Sequence, residues 1–425
     1  METARGAVSC LMCGEGAVAG SATIGAMELF VLLLAAASLL AVVTRRVTIL
    51  PYSVALVLLG LAVAIVHPPI QVGIEPDLIL AVLLPALVFE GALRTDLRVL
   101  ARVAPAVFLL AVPGVLITAA LVAVVLNLVT GLDFGLSFLV GTMLAATDPA
   151  ATLAVVGTIG TPKRLTTLIE AESLFNDGTG VVIFAIALEG LTTHASLGRM
   201  AADLVLALIV SSAIGAVVGF VASRVLAGIN DHLVEVTISL VAAYGSYLLA
   251  ARFGLSGLIA SVVCGLVFSG YGRRFGMSPE AREAIDIVWE FIGFLATTLV
   301  FLLIGLSIGF SQLAAAGLAT LATLVALLVS RGLIVYGLLG GAGQALRLLA
   351  RWRPIPAAWL HVTAWAGLRG AVSVALALSL PADLPQRSLL QGIVFGATLL
   401  TLLIQGTTAR PLVARLHLAG GPEDG

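Results

Sequence analysis

Runs of about 20 mostly apolar residues, the length that crosses ~30 Å of hydrocarbon, can be placed thirteen times along this 425-residue chain. A backbone surrounded by lipid must satisfy its own polar groups, so such a chain folds as helices or as a closed barrel. The ten-residue alternation of a barrel is absent. What remains is an all-α polytopic membrane protein, and the composition agrees: 60% of residues are hydrophobic and 11% charged, unlike a soluble domain. The 45 glycines suit helices that approach closely in lipid. Spans are expected at 27–43, 50–66, 77–93, 103–129, 134–158, 164–188, 201–226, 233–250, 256–270, 285–309, 313–340, 357–380 and 388–408.

Of the 22 Lys and Arg, sixteen fall in one set of alternate loops and four in the other, while Arg331 and Arg369 lie within spans. Cytoplasmic loops carry the excess, which puts the N-terminus outside and the C-terminus in the cytoplasm. Span starts in the two halves pair at a nearly constant offset: 27 with 233, 50 with 256, 77 with 285, 103 with 313. Six crossings return the chain to its starting side and the seventh sends it across. Two six-helix repeats are therefore expected in inverted orientation, as in many secondary transporters. The fifth and twelfth spans, at matching positions, are both interrupted. In A-T-D-P-A (146–150) Pro149 removes a backbone donor and pushes Asp148 out of helical geometry. In G-L-R-G-A (367–371) two glycines bracket Arg369. Matched interruptions point to a substrate site at the midplane.

The sixth span carries I-E-A-E-S-L-F-N-D-G-T-G-V (169–181). A charge at the bilayer centre costs roughly 2.5–3.5 kcal/mol on insertion scales, so such acids face a partner or a wet cavity. At 100° per residue Glu172, Ser173, Asn176 and Asp177 fall within about 140° of arc, and Asp177 is the deepest acid. Taken out of water, a carboxylate demands a compensating positive charge, which a proton or a small cation can each supply. Hard cations prefer oxygen, and Asp148, Thr147, Ser173 and Asn176 are the expected neighbours. The plainer alternative is that Asn176 and Asp177 cap a helix break at Gly178. Arg331 is expected to pair with Glu172 as a structural ion pair, since an unpaired buried guanidinium is very costly. Arg369 either offsets the carbonyl ends of the broken helices or pairs with another acid. Glu90 is a cavity-mouth acid or an interfacial residue, and Glu170 and Glu290 are expected at the interface.

Other classes fit poorly. No basic run points to nucleic acid, no Walker A sequence to ATP, and the five histidines lack metal-ligand spacing. The three cysteines form no disulfide framework, and Cys10 with Cys13 make a C-x-x-C in a Gly-rich tail without a second ligand pair. G-L-S-G (254–257) with His361 matches an intramembrane serine protease, but Ser256 stands where an N-cap belongs. No cofactor is implied.

Four motifs in order, L-P-A-L-V-F-E-G-A-L (84–93), A-T-D-P-A (146–150), E-S-L-F-N-D-G (172–178) and G-L-R-G-A-V (367–372), resemble the monovalent cation:proton antiporters, in the branch of NhaP and the animal sodium/proton exchangers. The resemblance runs from Met27 to about Leu416 and implies an NhaA/NhaP-like antiporter fold with Na⁺ and H⁺ as substrates, K⁺ or Li⁺ being alternatives within the class and a gated cation channel a rival outside it. It implies a homodimer in the plasma or inner membrane, with scaffold spans at 27–93 and 201–309 and a moving core at 103–188 and 313–408. Residues 1–26 and 417–425 are expected as tails, the first disordered. By the same resemblance Asp177 is the essential ion and proton ligand, Asp148, Thr147 and Ser173 complete the Na⁺ site beside Asn176, and Glu172 pairs with Arg331. An Asn176–Asp177 pair in place of two aspartates implies one cation for one proton.

Overall fold

The computed structural model describes residues 31–44, 46, 50–66, 78–159, 161–193, 196–229, 231–341 and 355–416. Cys10, Cys13 and both expected tails lie outside these residues, as does most of the 347–356 loop. The described residues are helical, joined by short connections. α1 (Val31–Thr44) and α2 (Tyr52–Val66) precede a π-helical turn, Leu78–Leu83, that runs into α3 (Leu84–Arg94).

The expected fourth span, 103–129, differs from what forms. Asp96 accepts the Arg98 N–H at 2.8 Å and starts α4 (Leu97–Ala111) well before Val103. Pro113, which has no N–H to donate, then divides it from α5 (Pro113–Thr130). α6 (Phe134–Met143) and α7 (Ala150–Ile159) flank an irregular stretch, and α8 (Lys163–Thr193) is unbroken for 31 residues. The alternative of a helix break at Gly178 is therefore wrong.

There follow α9 (Leu197–Leu226), α10 (His232–Arg252) and α11 (Gly257–Val267), the last extended by a π-helical turn to Gly272. α12 (Pro279–Ser307) starts on Ser278, whose hydroxyl accepts the Ala281 N–H at 3.1 Å. α13 (Gly317–Gly332) continues as a π-helix to Gly340. α14 (Ala357–Trp365) and α15 (Ala371–Leu378) flank the second irregular stretch, and α16 (Arg387–Arg415) closes the chain. Among the described residues seven helical stretches are long and apolar enough to cross a bilayer; the other expected spans correspond to shorter or interrupted helices.

Packing uses small residues where helices cross. A Cβ on Gly60 of α2 would lie 3.0 Å from Gly305 Cα of α12, so the backbones touch. α3 packs on α11 and α12, and α9 on α11 and α10. Within this group the Trp289 ring packs tilted against Phe89, centroids 4.6 Å apart, and gives its Nε1–H to Ser239 Oγ at 2.9 Å. A second group joins α5 to α6 and α13, α4 to α8, and α16 to α7, α13 and α15. Val205, Leu206 and Ile209 of α9 stand exposed, as lipid-facing residues must.

Candidate ion site

The two irregular stretches meet each other. α6 stops at Met143, so the carbonyls of Ala145 and Ala146 have no helical donor ahead of them. Arg369, almost fully buried, supplies one: its Nη1 donates to Ala145 O at 2.9 Å and to Ala146 O at 3.1 Å. Of the two roles open for this arginine, the fold selects the carbonyl ends. The backbone N–H of Asp148 donates to Leu368 O at 2.8 Å, stitching one break to the other. From behind, Thr401 Oγ1 on α16 accepts the Arg369 N–H at 3.3 Å.

The two glycines of the second break make room for charged neighbours. A Cβ on Gly370 would overlap the Asp148 carboxylate, and one on Gly367 would come within 2.8 Å of Arg331 Nε. Asp148 itself caps α7, accepting the Ala150 N–H at 2.9 Å. Pro149 takes the first helical position, where no N–H is needed, and the cap goes to the residue after it in the ordinary way.

α8 presents its polar residues in more than one direction. Asn176 and Thr147 bond reciprocally: the amide oxygen accepts the Thr147 N–H at 3.3 Å, and Nδ2 donates to Thr147 Oγ1 at 2.6 Å. Ser173 Oγ donates to Thr147 O at 2.8 Å. Glu172, 2% exposed, takes both Nη atoms of Arg331, the Nη2 contact being 2.9 Å, and that Nη2 also donates to Thr363 O at 2.6 Å. The arc expected to face a single cleft therefore divides. Glu172 and Asn176 turn into protein, while Glu170, Ser173, Leu174 and Asp177 line a cavity of about 360 Å³.

Asp148, Thr147, Gly370, Ala371 and Ser373 line that cavity too. Asp177 is half-buried, and among the described residues neither a hydrogen bond nor an ion pair holds its carboxylate. Beyond it, Gly178 presses on Ile259 of α11, within an apolar cluster that includes Val182, Ile183, Leu204 and Ala207. That end is closed. Towards the other end stand Glu90 and Arg94, ion-paired at 2.6 Å, and Glu170. Glu170, expected at the interface, lines the cavity i−7 from Asp177, on the same helical stripe. Glu290, mostly exposed, stays at the surface 4.0 Å from Arg94. Glu90 and Arg94 also border a wider vestibule of about 850 Å³ with Arg98, Arg273 and Arg274, so the cavity opens at the arginine-rich end.

Two residues in this architecture have no place in the sequence expectations: Ser373 at the cavity wall and Thr401 behind the crossing. Their signals were slight, a hydroxyl three residues past the second glycine of a break and another in an apolar last span. Ser256 acts as the N-cap of α11, accepting the Ile259 N–H at 3.3 Å, while His361 bonds Tyr336 at 2.8 Å. They form no protease pair.

Two interrupted helices crossing beside a membrane-embedded carboxylate define a helical secondary transporter. A model of the family "Sodium/hydrogen exchanger, transmembrane" matches residues 31–415, and the chain belongs to that family, one of transporters and not of enzymes. It is 39% identical to the Na⁺/H⁺ antiporter ApNhaP of Aphanothece halophytica over 87% of this chain and 70% of that one. To the Na⁺/H⁺ antiporter NhaP of Pseudomonas aeruginosa it is 40% identical over 80% of this chain and 81% of that one. The fold is similar to that of the sodium proton antiporter MjNhaP1 of Methanocaldococcus jannaschii, with a TM-score of 0.73 at 23% identity, covering 91% of this chain and 97% of the other.

Proposed function

We propose that this protein exchanges one Na⁺ for one H⁺ across a cell membrane, with Asp177 carrying the two in turn. The observation that carries the reading is the state of the three acids nearest the crossing. Glu172 is held by Arg331 and Asp148 caps α7, whereas Asp177 faces the cavity with no partner among the described residues. A carboxylate in that position accepts whichever small positive charge arrives. Asp148, Thr147 and Ser173 keep oxygen lone pairs to share with a cation, while Asn176 is occupied with Thr147 and serves to hold the crossing. Arg331 and Glu172, and Arg369 with its carbonyls, are the structural pairs.

If one carboxylate alternates between H⁺ and Na⁺, both half-cycles move the same charge and exchange is electroneutral. The arginine-rich end is the cytoplasmic one by the distribution of charge, so the cavity faces inward, with the N-terminus outside. Glu90 and Glu170 then stand at its cytoplasmic mouth. The helices around α2, α3 and α9–α12 serve as a scaffold and dimer surface, against which the helices around the crossing move. The relatives named above are Na⁺/H⁺ antiporters, which favours Na⁺ over K⁺ and Li⁺.

The test is dequenching of a pH dye in proteoliposomes on adding Na⁺, K⁺ or Li⁺. Wild type responds to Na⁺, and clamping the membrane potential leaves the response unchanged, whereas Asp177→Asn is folded and silent. Retained exchange in Asp177→Asn would sink the assignment, a potential-dependent current would favour a channel, and a response to K⁺ above Na⁺ would reassign the cation.

A further inference from the structure

The buried hydroxyls of this protein mostly satisfy themselves on the helix that carries them. Thr142 donates to Leu139 O at 2.7 Å, Ser239 to Val236 O at 2.6 Å and Thr323 to Ala319 O at 2.8 Å, the usual back-bond to the preceding turn. Five buried hydroxyls have no partner among the described residues: Thr152, Thr320, Thr363, Ser373 and Thr398. A buried hydroxyl left alone is costly, so each asks for an explanation. Of these five, only Ser373 lines the cavity that holds Asp177 and Asp148.

The reason Ser373 cannot back-bond lies in the break. It is the third residue of α15, so the turn that would supply its acceptor runs back through Gly370 and Arg369, where the chain is not helical. Gly370 is not helical, at φ −142° and ψ −140°, and it is pressed against the Asp148 carboxylate. The broken span therefore places Ser373, its hydroxyl stripped of its ordinary partner, among the residues that line the cavity with Asp148. Ser373 exposes no surface to water. A hydroxyl so enclosed suits a cation that has shed its water shell.

We propose that Ser373 Oγ is a further ligand of the transported alkali cation and helps set the affinity for it. The other oxygens of the site come from α8 and from the first break: Asp177, Ser173, Asp148 and Thr147. Ser373 adds an oxygen from the second break, so that both interrupted spans contribute to the shell. A hydroxyl is a neutral, hard donor, matched to Na⁺ or Li⁺, and it takes no part in carrying the proton. The assignment rests on the antiporter reading above.

Three variants test it. Ser373→Ala removes the oxygen, Ser373→Cys keeps the volume but offers soft sulfur, and Ser373→Thr keeps the hydroxyl. At alkaline pH the Na⁺ concentration for half-maximal exchange in proteoliposomes rises about threefold to tenfold in Ala and in Cys, the size expected of one neutral ligand. It returns towards wild type in Thr, and in Ala and Cys the deficit is overcome by saturating Na⁺. Stabilisation of the detergent-solubilised protein by NaCl over choline chloride shifts to higher concentration in parallel, while its melting temperature without Na⁺ stays put. Ser373→Cys matching wild type in both assays would overturn the ligand assignment and leave the antiporter reading intact, as would a melting temperature lowered without Na⁺ and no change in Na⁺ dependence. A wild-type protein that Na⁺ neither stabilises nor drives would overturn both.

Discussion

The backbone N–H of Asp148 donates to the carbonyl of Leu368 at 2.8 Å, and this bond joins the two interrupted helices at the point where they cross. Neither residue could make it inside an intact helix, because both groups would be spoken for. The breaks are thus complementary, each leaving open what the other needs.

Because Gly370 packs on Asp148 with no room for a Cβ, Gly370→Ala must displace that carboxylate or the loop that carries it. We expect exchange to fall about tenfold or more, the sensitivity of a site to small misplacements. Gly317→Ala, where a Cβ meets nothing within 4 Å, serves as the control and keeps its activity. Dye dequenching on the two variants checks this, and equal rates would refute the close fit.

Arg331→Ala strands Glu172 at 2% exposure with its charge unpaired. Breaking a buried pair from one side costs about 3–5 kcal/mol, so the melting temperature in detergent should drop well below wild type. Asp177→Asn removes a charge that has no partner and should not destabilise. Replacing both members, Glu172→Leu with Arg331→Met, should recover part of the loss. The opposite order of melting temperatures would show that the pair does not hold the helices together.

Thr401 holds the second break through a single hydrogen bond to Arg369 N. Thr401→Val keeps the shape and orphans that N–H, at about 1–3 kcal/mol. Thr401→Ser keeps the bond. We expect the valine variant to melt lower and exchange more slowly, and the serine variant to restore both. Indifference to the valine would mean that the crossing is held from the Ala145 side alone.

Much of the architecture is legible in the residues because the bilayer is a severe solvent. It leaves helices as the solution for long apolar runs, and it makes each interruption visible as a proline, a pair of glycines or a charge. The errors fall where the chain can compensate locally. Asp96 and Pro113 redrew the fourth span, since capping and a missing donor act over one turn and apolar windows average over five. Gly178 did not break α8 although Asn176, Asp177, Thr179 and Gly180 beside it are all poor helix formers: tertiary packing overrides propensity there, and the missing Cβ leaves room for Ile259.

Angles on a helical wheel gathered the acids of α8, but they do not say what lies opposite each one. Sequence alone determined that the chain is a bundle of membrane helices, that the fifth and twelfth expected spans are interrupted, and that 169–181 carries charge where charge must have a purpose. Only the tertiary structure decided how that charge is divided. Arg331 comes from 159 residues away to take Glu172, Thr147 takes Asn176, and Arg369 crosses to Ala145. What is left over is Asp177, with Glu170 on its stripe and Ser373 on the facing break. Partners distant in sequence meet only when the whole bundle closes, and a buried acid is free or committed according to which of them reaches it first.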